Sequence, residues 1–159
     1  MITALFIGAV NAQTKNSSKD NLLVETNDSA PIGSFDLTGT WTVVITPDDG
    51  SPSFVGYYSF NSDGNASFSS AGLPIPGLGN SGYGVWEKTG RNRFAATIRM
   101  NSYTENFQFD GTVKINSKIQ MTSRNTFITQ DTVKVFDADG NEIVTLGGSA
   151  HGTRMVVED

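Results

Sequence analysis

The stretch "TFITQDTVKVF", residues 126–136, carries the sharpest chemical signal in the chain. Counting in twos from Phe127 through Asp131 to Val133 and Val135 puts the Asp131 carboxylate on the apolar side of a strand. A buried carboxylate is costly unless it is paired or protonated, so this placement marks a candidate for proton transfer or polar recognition. The alternative is a β-bulge near 129–131 that turns Asp131 outward. Tyr58 is the second candidate, a phenol able to assist proton transfer. His151, the single histidine, falls on the face opposite Val144, Leu146, Ala150 and Arg154, which predicts a surface position. With no Cys and one His, a nucleophilic triad and a Cys- or His-rich metal site both lack their residues. "DADGN", 137–141, opens like a calcium loop but lacks the later ligands and the distal Glu, and reads as a hairpin turn. The sequence implies no metal and no cofactor.

The elements that must position these groups have a period of two. Alternation predicts strands over 40–46, 53–61, 65–70, 83–88, 92–103, 111–121, 125–136 and 142–157. Turn chemistry separates them: "PDDGSP" (47–52), "NSDG" (61–64), "KTGRN" (88–92), "FDG" (109–111) and "DADGN". In 92–103, Phe94, Ala96, Ile98 and Met100 alternate with Arg93, Thr97, Arg99 and Asn101, so one face is dry and the other wet. No segment has a stripe at helical spacing. Eight strands in hairpin succession must close or split into layers to protect their edges, and closure into an eight-stranded antiparallel up-and-down β-barrel is the simpler solution.

The surrounding chain sets limits. Its 159 residues favour one domain, spanning 36–159, behind a polar linker at 13–35. The apolar run "ITALFIGAV" (2–10), with small residues at Val10 and Ala12, reads as a signal-peptide remnant over 1–12, although it lacks a basic start. On that reading the protein is secreted or periplasmic; otherwise residues 1–12 are a tail or an extra strand and the protein is cytoplasmic. A run this short predicts no stable membrane span. Eleven basic against sixteen acidic residues, a net charge of −5, argue against a nucleic-acid partner.

Gly39-Thr40-Trp41 at the start of the first strand, with Arg154 in the last, resembles the structural signature of the calycins, the lipocalin-like barrels. The resemblance covers roughly 36 to 157 and rests on these two motifs. It implies a Trp41 that plugs the closed end of the barrel, with the Arg154 guanidinium packed over its indole. The chain departs from lipocalins in its long loop, "AGLPIPGLGNSG" (71–82), which falls between the third and fourth strands. The match is therefore to the wider calycin-like class, which includes small barrel cyclases and isomerases.

An eight-stranded barrel has room for packed side chains or for one small ligand. The inward set includes Phe54, Tyr58, Trp86, Phe94, Ile98, Met100, Ile115 and Phe127, while Gly56, Ala96, Ser117 and Ala150 on the same faces leave space beside them. Leu73, Ile75 and Leu78 suit an apolar lid over the mouth, or else a contact between copies in a homo-oligomer. Three functions fit: binding of a small hydrophobic molecule; cofactor-free cyclase or isomerase chemistry on a polyene or polyketide-like substrate, with Asp131 and Tyr58 catalytic; or a solid barrel acting as a structural module. In the binding and cyclase readings Trp86, in a short strand directly after the 71–82 loop, is expected near the rim.

Overall fold

A computed structural model describes residues 34–71 and 81–158. The strands are β1 (Gly39–Pro47), β2 (Phe54–Phe60), β3 (Asn65–Ala71), β4 (Ser81–Lys88), β5 (Arg93–Tyr103), β6 (Phe109–Met121), β7 (Thr126–Asp137) and β8 (Glu142–Arg154). Each pairs antiparallel with its neighbour in sequence, and β1 pairs with β8, so the sheet closes into an eight-stranded up-and-down barrel. Among the described residues there is no helix. The signal-remnant segment 1–12, the linker as far as residue 33 and the loop residues 72–80 lie outside the described residues.

One turn differs from expectation. The β5–β6 reversal is made by 104–108, where Thr104 N–H donates to the Gln108 carbonyl and Phe107 takes φ 60°. The Asp110-Gly111 pair instead sits inside β6. Pairing jumps from Ser102↔Gly111 to Tyr103↔Phe109, leaving Asp110 as the extra residue of a bulge. At Gly111 a Cβ would lie 2.0 Å from the Phe136 carbonyl oxygen, so the glycine marks backbone crowding across the sheet rather than a hairpin.

The core shows why the barrel opens with a tryptophan. Trp41 is fully buried, donates its indole N–H to the Leu37 carbonyl at 2.9 Å, and packs edge-on against Phe127 at 4.9 Å. The Arg154 guanidinium carbon lies 4.1 Å from the indole centroid, within cation–π range. Its nitrogens donate to the carbonyls of Thr38, Asp36 and Arg124, so one side chain ties the segment before β1 to the turn between β6 and β7. Gly39 is the counterpart: it has φ 129°, and a Cβ there would sit 2.7 Å from Arg154 Nη1. Phe35 also packs on this end, its N–H donating to Asn92 Oδ1, so the packed domain includes Phe35. Replacing Trp41 by Ala should cost about 3–5 kcal/mol of stability in chemical denaturation, as large buried aromatics do. A loss no greater than that of a surface substitution would show that the indole is not the plug.

Candidate functional site

The barrel is packed differently at its two ends. Trp41, Phe60, Trp86, Phe94 and Phe127 form a chain of ring contacts with centroids 4.9 to 6.3 Å apart. Small residues receive these rings rather than leaving room beside them. A Cβ on Gly152 would fall 2.3 Å from the Phe127 ring, and one on Gly56 would fall 2.7 Å from Phe68. The space inferred at Gly56 is therefore filled. Trp86 also moves from its expected place: its backbone N–H donates to Gly64 and its indole N–H to Asn61, both in the β2–β3 turn at the Trp41 end. A strand carries its residues about 3.4 Å apart, so six positions of β4 take Trp86 away from the loop and down to the closed end. With Phe94 and Phe127 beside it, three of the eight inward candidates belong to this plug.

The opposite end is asymmetric. β5 to β8 have 11, 13, 12 and 13 residues, whereas β1 to β4 have 9, 7, 7 and 8. β1 pairs with β8 from Gly148 onward and Asp48 N–H donates to the Gly147 carbonyl, so residues 142–146 of β8 run past the end of β1. The inner face of this overhang carries Val113, Ile115, Val133, Val135, Val144 and Leu146. Ile115, Val133 and Val135 are half-buried, and Val144 and Leu146 are 39% and 41% exposed despite inward parity. Inward aliphatics that meet solvent line a mouth, not a filled core. Ile98 and Met100 are buried in the same wall, and half-buried Phe54 begins β2 at this end. Ala71 and Ser81 flank the same opening; the lid candidates Leu73, Ile75 and Leu78 between them fall outside the described residues.

A polar group separates the two regions. Asp131 is 9% exposed and points inward, and no bulge intervenes, since Thr129 to Asp131 pair without a register shift. Thr129 Oγ1 donates to Asp131 Oδ2 at 2.7 Å, while Asp131 Oδ1 has no partner. Ser117, directly across on β6, is buried with its Oγ likewise unpartnered. Tyr58 is buried on β2, its ring stacked on Phe60 at 5.4 Å and tilted against Phe68 at 4.9 Å. Burial raises the Tyr58 phenol well above its ordinary range, the negative charge of Asp131 adds to this, and the Ser117 hydroxyl opposes it. Burial likewise raises Asp131 above its ordinary 3.8, against the hydroxyls of Ser117 and Thr129. Ser117 thus lies near enough to influence both groups but is aligned for a hydrogen bond with neither.

His151 is exposed, and the 137–141 turn is held by the Asp137 carboxylate accepting from the backbone of Asp139 and Asn141. Among the described residues no three His, Cys, Asp or Glu side chains gather as metal ligands, and no helix is long and apolar enough to cross a membrane. An open groove of about 350 Å³ over Thr89–Arg93 and Gln120 lies at the closed end and contains none of the candidate residues. Thr129 and the mouth residues Val133, Val135, Val144 and Leu146 complete the site beyond the residues first singled out. Their parity was readable, but their exposure depends on where β1 stops.

No protein-family model matches the sequence, and no curated protein matches it. Among solved structures the chain is similar to that in "Structure of EF1p2_mFAP2b bound to DFHBI", at 22% identity and a TM-score of 0.55, covering 75% of this chain and 94% of that one. The likeness is one of fold.

The raised Asp131 pKa has a direct consequence for stability. The folded state holds this proton more tightly than the unfolded state, so the contribution is fully present below 3.8 and is lost as pH rises through the folded value. Thermal denaturation at a series of pH values should therefore show the native protein losing stability relative to Asp131→Asn as the pH is raised above about 4. The opposite slope would show that the carboxylate is favoured, not penalised, by its site.

Proposed function

We propose that this protein binds a small, largely hydrophobic molecule in the upper half of a calycin-like barrel. The observation that carries the reading is the half-exposed inner wall of Ile115, Val133, Val135, Val144 and Leu146 above a plugged base. A wall of this composition attracts apolar surface, at roughly 25 cal/mol per Å² removed from water. Ile98, Met100, Ile115 and Phe54 remain as lining from the candidates read in the sequence, with Tyr58 as the base of the pocket. Trp86, Phe94 and Phe127 act instead as support. The EF1p2_mFAP2b barrel, whose structure holds DFHBI, supports the reading by analogy of architecture.

A second reading, cofactor-free cyclase or isomerase chemistry, is favoured by one observation: the buried Asp131 carboxyl lies near enough to the buried Tyr58 phenol for its charge to act on it. A neutral phenol beside a carboxyl of raised pKa is a workable acid–base pair. In that case Tyr58→Phe should abolish conversion of a polyene substrate while leaving its binding largely intact.

The binding reading is tested with a neutral, environment-sensitive dye such as Nile red. Saturable binding at one site per chain is expected. Val133→Trp and Leu146→Trp, which fill the mouth, should each weaken it about tenfold or more, equivalent to about 1.4 kcal/mol, with little change in melting temperature. Phe94→Leu at the plugged end should lower stability and leave dye affinity nearly unchanged. No saturable binding would leave the solid-barrel module as the standing account.

A further inference from the structure

The base of the pocket has a polarity that a purely hydrophobic ligand leaves unanswered. Asp131 Oδ1 and Ser117 Oγ are both buried, both lack a hydrogen-bond partner, and belong to residues paired directly across β6 and β7. Thr129 already satisfies the other carboxylate oxygen, so the vacancy on Asp131 is a single acceptor facing the lumen. The strands packed around it supply no countercharge. β5 offers Ala96 and Ile98, β8 offers Leu146, Gly148 and Ala150, β1 offers Val43 and Ile45, and β2 offers the neutral phenol of Tyr58. By parity Arg99, Lys114, Lys118 and Lys134 project from the outer face. Arg154, on the inward parity of β8, is committed to Trp41 and three carbonyls at the plugged end. Among the described residues, then, a buried carboxylate has no cation beside it, and its neighbour across the sheet has a free hydroxyl. A buried unpaired charge is among the costliest features a core can carry, and its complement is a cation brought from outside.

We infer that the ligand is a hydrophobic amine, whose ammonium group reaches the base of the pocket, donates to Asp131 Oδ1 and Ser117 Oγ, and leaves its apolar body against the mouth residues. The inference rests on the binding reading above and specifies the head group that reading leaves open. An ammonium has three donors and no acceptor, which suits two orphan oxygens. A carboxylate ligand would place a second negative charge beside Asp131. An alcohol would satisfy the oxygens without neutralising the charge.

The experiment uses the full chain and three probes with one apolar body, n-octylamine, n-octanol and octanoate, each displacing Nile red. It is run at about 0.5 M salt, where the attraction of any cation to an acidic surface is screened and a buried pair is not. The expected result is octylamine at least tenfold tighter than octanol, with octanoate weakest, and loss of the amine advantage in Asp131→Asn. Octylamine affinity should also fall as pH is lowered through the raised Asp131 pKa, because the proton competes with the ammonium, and binding above that range should release none. Octanol or octanoate binding as tightly as octylamine to the native protein overturns the inference, as does an amine preference that survives Asp131→Asn. The native ligand series decides the matter even if the Asn variant does not fold. Saturation by Nile red and octanol with no amine advantage defeats this inference and leaves the hydrophobic pocket standing, whereas failure of every probe to saturate defeats both.

Discussion

The contact of Arg154 with Trp41 is the constraint on which the barrel's closure depends. Sheet closure requires the first strand to find the last, and the hydrogen bonds between β1 and β8 are the most non-local in the chain. A guanidinium 4.1 Å from an indole, anchored also on the carbonyls of Asp36, Thr38 and Arg124, fixes that pairing in one register. A slip by one residue would turn Trp41 out to solvent and bring Thr40 or Thr42 in. The glycine at 39 follows from the same contact, since any side chain there would occupy the place of the guanidinium.

Once the register is fixed, the distribution of large and small side chains divides the lumen. Toward the Trp41 end Phe127 sits against Gly152, and farther along the barrel Phe68 sits against Gly56, so that each ring fills the place a side chain would take. Toward the other end the inner residues are mainly aliphatics on strands that are longer than β1 to β4. The aromatic packing is concentrated in one half of the barrel, and the other half is lined by aliphatic side chains, several of them only partly buried. The Asp131, Ser117 and Tyr58 group stands at the boundary, where a rigid base holds polar atoms in place.

That group is a local conflict in an otherwise consistent fold. Each of its members stands where the alternation would otherwise place an apolar side chain: Val for Asp131, Ala for Ser117, Phe for Tyr58. Burial raises the pKa of both titratable groups, the physical sign that their charged forms are penalised. Three departures of the sequence from its own pattern thus fall close together in space, the kind of clustered local conflict that folds carry at functional sites.

Much of this was legible from residue order. Strict alternation from Trp41 onward determined the strands and their two faces, because side chains on a strand must point to opposite sides. The same count placed Asp131 inward, and Asp-Gly and Asn-rich turns marked most of the hairpins. The Asp110-Gly111 pair misled, because positive φ serves a crowded bulge as well as a turn, and "TENFQ" made the reversal without either signal. What parity cannot supply is height along the barrel axis. Strands tilt and shear on closure, so positions adjacent to a mouth loop in sequence can end at the opposite end, as Trp86 does. Nor does composition tell a hole from a socket: Gly56 reads as space until Phe68 is seen filling it. The sequence by itself determined which side chains face the lumen. Only the tertiary structure decided which of them meet, because those contacts are set by how far each strand runs before its neighbour stops.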